Sequence, residues 1–171
     1  NYQIASAVEL PFCDSNFDFA TGFMSFMDIA ETECVLTEAY RVLKPSGFLQ
    51  FSITHPCYDT PHRCNLRDEN GLTYAVEVGD YFRNLDGVIT EWLFSAAPPQ
   101  VKKGLPDFKV PRFTRTLSQW LNLLIEVDFI IERIEPRPSD ETVNECPRIQ
   151  DTQVVAYFLH VLARKPSRIA V

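Results

Sequence analysis

Phe17 to Thr54 reads FDFATGFMSFMDIAETECVLTEAYRVLKPSGFLQFSIT, and the periodicity of this stretch decides the fold. Cys13-Asp14-Ser15-Asn16 before it is turn chemistry, because Asp, Ser and Asn side chains bond to nearby backbone. Phe17–Phe23 then predicts a short buried strand. Val35, Leu36, Ala39, Tyr40 and Leu43 recur at helical spacing, which predicts an amphipathic helix. Asp28 with Glu31 has capping-box spacing and predicts that the helix starts at Asp28. Lys44-Pro45-Ser46-Gly47 stops the helix, and Phe48–Thr54 predicts a second apolar strand. Strand, helix, strand in this order predicts a parallel pair joined by a crossover helix.

Beyond this unit the pattern changes. From His55 to Arg115, Pro98, Pro99, Pro106 and Pro111 mark irregular chain. Leu72, Tyr74, Val76 and Val78 alternate, as do Val88, Thr90, Trp92 and Phe94, with turn residues Asn84 to Gly87 between them. The prediction is one antiparallel hairpin inserted over residues 56–115. Thr116 with Gln119 is a second capping box, ahead of an apolar face of Leu117, Trp120, Leu121, Leu124 and Val127. Phe129–Ile134 predicts a strand. Val154–Leu162 has a length open to helix or strand, and its β-branched and aromatic residues favour strand.

Composition bounds the function. The 171 residues suit a single domain, 1–171, with hydrophobic residues at 46% and a net charge of -7. That acidity, with no dense Lys/Arg run, argues against nucleic-acid backbones as partners. No apolar stretch is long enough to predict a membrane-crossing helix. Five cysteines without a CxxC read as reduced thiols in a cytoplasmic protein. His55, Cys57, His62 and Cys64 offer zinc-type ligands, but their spacing fits no standard zinc module, so no metal site is predicted.

Several segments resemble class I S-adenosylmethionine-dependent methyltransferases. Ala5-Ser6-Ala7-Val8-Glu9-Leu10-Pro11-Phe12 with Asn16-Phe17-Asp18 resembles their "DA-x-x-LPF-x-D-x-x-FD" stretch. Glu38 to Gly47 resembles "E-x-x-RVLKPGG", with Ser46 in place of the first glycine. Phe113 to Ser118 with Val127-Asp128-Phe129 resembles their late helix-to-strand unit, with Asp128 where glycine is typical. Asp tolerates a left-handed conformation, so that departure is mild. The small-molecule, ubiquinone/menaquinone-biosynthesis branch is the nearest in pattern.

The resemblance implies an α/β, Rossmann-like sheet. On the family's strand order the chain reads as a C-terminal, truncated portion. Strands 4, 5, 6 and 7 are expected, with strand 7 antiparallel, and strands 1 and 2 are expected to be absent. The six glycines supply no GxGxG, the loop that lets backbone approach the cofactor. Weak or no S-adenosylmethionine binding is therefore expected of this chain alone. An exposed strand-4 edge invites a homodimer. The implied activity is methyl transfer to a small-molecule acceptor, and the alternative is a non-catalytic fragment acting in binding or assembly.

Ligand sites in open α/β sheets lie beyond the carboxyl ends of the strands, which points to Phe23–Asp28 and His55–Asp59. By resemblance, Ser6 and Ala7 would sit near the adenine, and Phe23, Met24 and Ser25 would line the cofactor. Tyr81 and Trp92 in the insertion are candidates for lining the acceptor site. His55 is the candidate base, since imidazole titrates near neutrality.

Overall fold

The structure is a computed structural model that describes residues 2–92 and 108–167. Eight strands are described: β1 (Phe17–Phe23), β2 (Leu43–Thr54), β3 (His62–Arg67), β4 (Thr73–Gly79), β5 (Val88–Trp92), β6 (Phe108–Arg112), β7 (Ile130–Glu135) and β8 (Phe158–Arg164). Three α-helices accompany them: α1 (Thr32–Val42), α2 (Leu117–Glu126) and α3 (Asp140–Glu145). Short 3-10 segments span Phe26–Asp28 and Pro147–Gln153.

The main sheet has the order β1-β2-β8-β7. β1 and β2 are parallel, as strand-helix-strand predicts, with Ala20 opposite Leu49 and Phe23 opposite Ser52. β8 runs antiparallel to both β2 and β7. The central strands β2 and β8 carry the core: Leu49, Phe51, Ile53, Leu159, Val161 and Ala163 are all buried. α1 lays Val35, Leu36, Ala39 and Val42 into that core, and α2 adds Trp120 and Leu124. The ring of Phe51 packs between those of Phe26 and Trp120, with centroids at 5.1 and 6.2 Å.

Two sequence motifs hold each other. Arg41, on α1, donates to Glu38, to the carbonyls of Leu10 and Phe12, and to Asp14. Glu38 accepts from the Leu10 amide at 2.7 Å. The Leu-Pro-Phe turn is thus clamped onto the helix that leads to the second strand. The far end of α1 is closed by Lys165, whose Nζ donates to the carbonyls of Tyr40 and Leu43, both at 2.8 Å. A cation on otherwise orphaned helix carbonyls is favoured electrostatically as well.

Three expectations are corrected. The sheet does not lack its first two strands: β1 and β2 in chain order are present as the parallel pair of a mixed sheet. The expectation rested on placing the chain's segments on the family's strand order, and a likeness of short motifs does not count the strands that pair. The insertion is not one hairpin. β4 pairs with β3, and β5 pairs with β6, so the two alternating runs belong to separate two-stranded sheets. Alternation reports which residues share a face and not which strand lies opposite. Phe94 lies outside the described residues. Asp28 does not cap α1, which starts at Thr32 after Glu31 without a side-chain cap; Asp28 ends the 3-10 turn instead.

The second strand starts early, at Leu43. β1 advances from Phe17 to Phe19 while β2 advances from Leu43 to Phe48, so the Lys44–Gly47 stretch is looped out of register. Ser46 there has φ 66, the left-handed conformation that glycine prefers.

Candidate active site

The carboxyl ends of the parallel pair open on one cavity of about 300 Å³. Met24 leaves β1 with φ 50, and its amide donates to the Ser52 carbonyl at 2.8 Å. That bend turns the chain off the sheet and places Met24, Met27 and Asp28 on one wall. Thr54, at the end of β2, and Asp59 form the floor side. The insertion closes the cavity: Arg63 comes from β3, Phe108, Val110 and Arg112 from β6, and Phe113 follows β6. The lining is thus apolar along Met24, Met27, Val110 and Phe113, and Asp28, Asp59, Arg63 and Arg112 are its charged side chains.

Those charges are arranged around Asp59. Its Oδ1 accepts from Arg63 Nη1 at 2.5 Å and from Arg112 Nη2. The Asp59 and Arg112 side chains are each only 16% exposed. A half-buried carboxylate between two guanidiniums is compensated, and the pair ties the insertion to the loop after β2. Asp28 is half-buried in the same cavity. Burial raises its carboxyl above the ordinary value, repulsion from Asp59 adds to this, and attraction to Arg112 offsets part of it.

The other candidate residues are placed as follows. His55 follows β2 and is half-buried; burial lowers its pKa, and Nδ1 accepts from the Cys57 amide at 3.1 Å. The neutral ring therefore carries its proton on Nε2. His55 is not among the residues lining the cavity. Tyr81 is also outside that lining; its hydroxyl accepts from the Leu117 amide at 2.8 Å and so fastens the insertion to the start of α2. Trp92 ends β5 opposite Phe108, and its side chain lies outside the described residues. Ser6 is exposed and forms a single bridge with Glu9, while Ala7 packs against the core. Phe23 is 56% exposed, and Ser25 precedes the 3-10 turn without capping it. His62 pairs with Glu77 at 3.0 Å. Among the described residues no group of three or more His, Cys, Asp or Glu could hold a metal ion.

Sequence reasoning pointed to the two segments that hold Met24, Asp28 and Asp59. It missed Arg63 and Arg112. Arg63 carried a faint signal, four residues after Asp59, but Arg112 reaches it only through the β5–β6 pairing that the sequence pattern did not reveal.

The family model for the methyltransferase domain matches residues 1–51. The match falls at the start of the chain and overturns the reading of the chain as the C-terminal portion of such a domain. Over 60 residues the chain is 42% identical to the ubiquinone/menaquinone biosynthesis C-methyltransferase UbiE of Rickettsia felis, covering 33% of this chain and 24% of that protein. The UbiE of Psychromonas ingrahamii is 37% identical over 60 residues, again 24% of its length. The matched part is thus about a quarter of these curated relatives. In three dimensions, an S-adenosylmethionine-dependent methyltransferase from Mesorhizobium loti superimposes with a TM-score of 0.70 at 24% identity, over 95% of this chain and 68% of that one. The [4+2]-cyclase SpnF superimposes with a TM-score of 0.52 at 17% identity, over 97% of this chain and 56% of that one. The chain therefore has the Rossmann-like fold of S-adenosylmethionine-dependent methyltransferases, a fold that also carries a protein named for a different reaction.

Proposed function

We propose that this chain takes part in S-adenosylmethionine-dependent methyl transfer to a small molecule, at the carboxyl ends of β1 and β2. The observation that carries the reading is the cavity at those ends, half roofed by the insertion, in a chain that shares its fold with a methyltransferase over 95% of its length. The insertion over 56–115 is the acceptor-side cap of a single domain spanning 1–171.

Phe23, Met24 and Ser25 at the exit of β1, with Ser6 and Ala7 joined to them by the family resemblance, are assigned to the cofactor's adenosyl end. Phe23 offers an exposed ring face, and the Ser6 and Ser25 hydroxyls take no protein partner among the described residues. Ala7 and Met24 complete this group. S-adenosylmethionine, when bound, supplies a methyl group already activated on a sulfonium. The chain's own part is to hold the acceptor beside it and keep water out. Met24 stands at the boundary, lining the cavity from the cofactor side. With no GxGxG among six glycines, affinity for the cofactor is weak, because no closely spaced Cβ-free positions let backbone approach it. His55, the base expected from the sequence, is given no part in this reading, because it lies outside the cavity lining and its one free ring nitrogen already accepts from the Cys57 amide.

The test is transfer of isotopically labelled methyl from millimolar S-adenosylmethionine to a panel of small amines and alcohols. Wild-type protein is compared with Ser25→Arg, which crowds the proposed cofactor face. Label transfer that falls on the order of tenfold in the variant supports the reading; transfer indifferent to the substitution, or none from either protein, overturns it.

A further inference from the structure

Three of the four charged side chains in the cavity compensate one another. Asp59 accepts from both Arg63 and Arg112, and the Arg63 guanidinium also lies over the Tyr58 ring, 4.8 Å from its centroid. The two guanidiniums are thereby committed to protein groups. Asp28 differs. Among the described residues its carboxylate takes no side-chain hydrogen bond and no ion pair, although it is half-buried in an apolar-walled cavity. An unpaired carboxylate drawn partly out of water costs free energy, and a ligand that completes it recovers that cost. The surroundings also select the sign of that ligand. At Asp28 the repulsion from Asp59 outweighs the attraction of Arg112. A positive group placed beside Asp28 supplies the countercharge that this carboxylate lacks, whereas Asp59 is already held by the two guanidiniums.

We infer that this cavity binds a small amine, with a protonated amino head on the Asp28 carboxylate and an apolar body against Met24, Met27, Val110 and Phe113. Calling that amine the methyl acceptor rests on the proposed function; its binding does not. The size of the cavity, about 300 Å³, suits a body of one ring. Asp28 is thus the residue that decides specificity, and the Asp59 cluster is the frame that holds the roof in place.

Three probes on one scaffold test this: benzylamine, benzyl alcohol and benzoate, titrated at neutral pH against the full chain and followed by NMR shifts. Benzylamine is expected to bind tightest and benzoate weakest, with shifts at Met24, Asp28 and Val110. Asp28→Asn keeps the shape and removes the charge, so benzylamine affinity should fall roughly tenfold or more while benzyl alcohol changes little. Val110→Trp fills the apolar wall and leaves Asp28 intact. It should weaken benzylamine and benzyl alcohol together, and it decides the matter if Asp28→Asn does not fold. Benzoate binding best, benzylamine indifferent to both substitutions, or no probe binding at millimolar concentration would overturn the inference. A parallel titration with S-adenosylmethionine separates the two readings. Asp28-dependent amine binding without cofactor shifts at Phe23–Ser25 sinks the proposed function and leaves the amine site standing. Cofactor shifts with benzoate preferred sink the amine site alone.

Discussion

Ser46 and Asp128 both hold positive φ, 66 and 68, at the two positions where the resembling sequences carry glycine. The backbone path is the constant, and the side chain adapts to it. Asp meets the demand with less strain than most residues, since its short polar side chain bonds locally; Ser has less of that compensation. Ser46→Gly should therefore stabilise the protein, by about 0.5–1 kcal/mol after the extra freedom of glycine in the unfolded chain is set against the relieved strain. Chemical denaturation of the two proteins measures it, and an unchanged or lower midpoint would mean that Ser46 is not strained. The contacts of its backbone, to Lys165 and Arg164, survive the substitution. Gly47 next to it has a different reason to be glycine. A Cβ there would lie 2.9 Å from the Lys44 carbonyl and 3.0 Å from that of Asp18, and neither backbone atom can step aside.

At the scale of elements, the parts legible in the sequence were those fixed by local chemistry. β1 has the bounds its apolar run implies, and α2 carries the full Thr116–Gln119 capping box. Those signals lie within a few residues of the structure they cause. Asp28 and Glu31 offered the same spacing, yet Asp28 is taken up in the 3-10 turn that the Ile29 amide closes onto the Phe26 carbonyl, and the Thr32 hydroxyl donates to the Ile29 carbonyl at 2.8 Å. The strand partners inside the insertion were not legible, because pairing depends on where distant segments dock. The same is true of Arg112 in the candidate site. The clamp between Glu38, Arg41 and the Leu10 amide was likewise hidden, though both its motifs were visible. It carries a pH signature. Hydrogen bonds from Arg41 and Leu10 hold the Glu38 carboxyl down to about 2, from an ordinary 4.5. A depressed folded value means the stabilisation is complete above 4.5 and is lost as pH falls toward 2. Thermal midpoints should drop across that window in the wild type, and Glu38→Gln should start lower and drop less. Parallel curves for the two proteins would remove Glu38 from this role.

For the whole molecule, one mixed sheet organises everything else. Its buried centre, β2 and β8, positions the parallel pair, and the ends of that pair position the cavity. The outer edge of β1 takes no strand among the described residues, with Phe19 and Phe23 exposed along it. The fold alone does not fix the reaction, since a cyclase shares it. What narrows the reading is the side of the sheet on which chemistry-bearing residues gather. The proposed function therefore makes a spatial claim: S-adenosylmethionine would bind at the exit of β1, next to the cavity that the insertion roofs. Titrating the isotopically labelled protein with S-adenosylmethionine and mapping amide shifts tests it most directly. Graded, weak-binding shifts concentrated at Ala7 and Phe23–Ser25 are expected. Shifts confined to residues away from the carboxyl ends of β1 and β2, or none at millimolar cofactor, would contradict it.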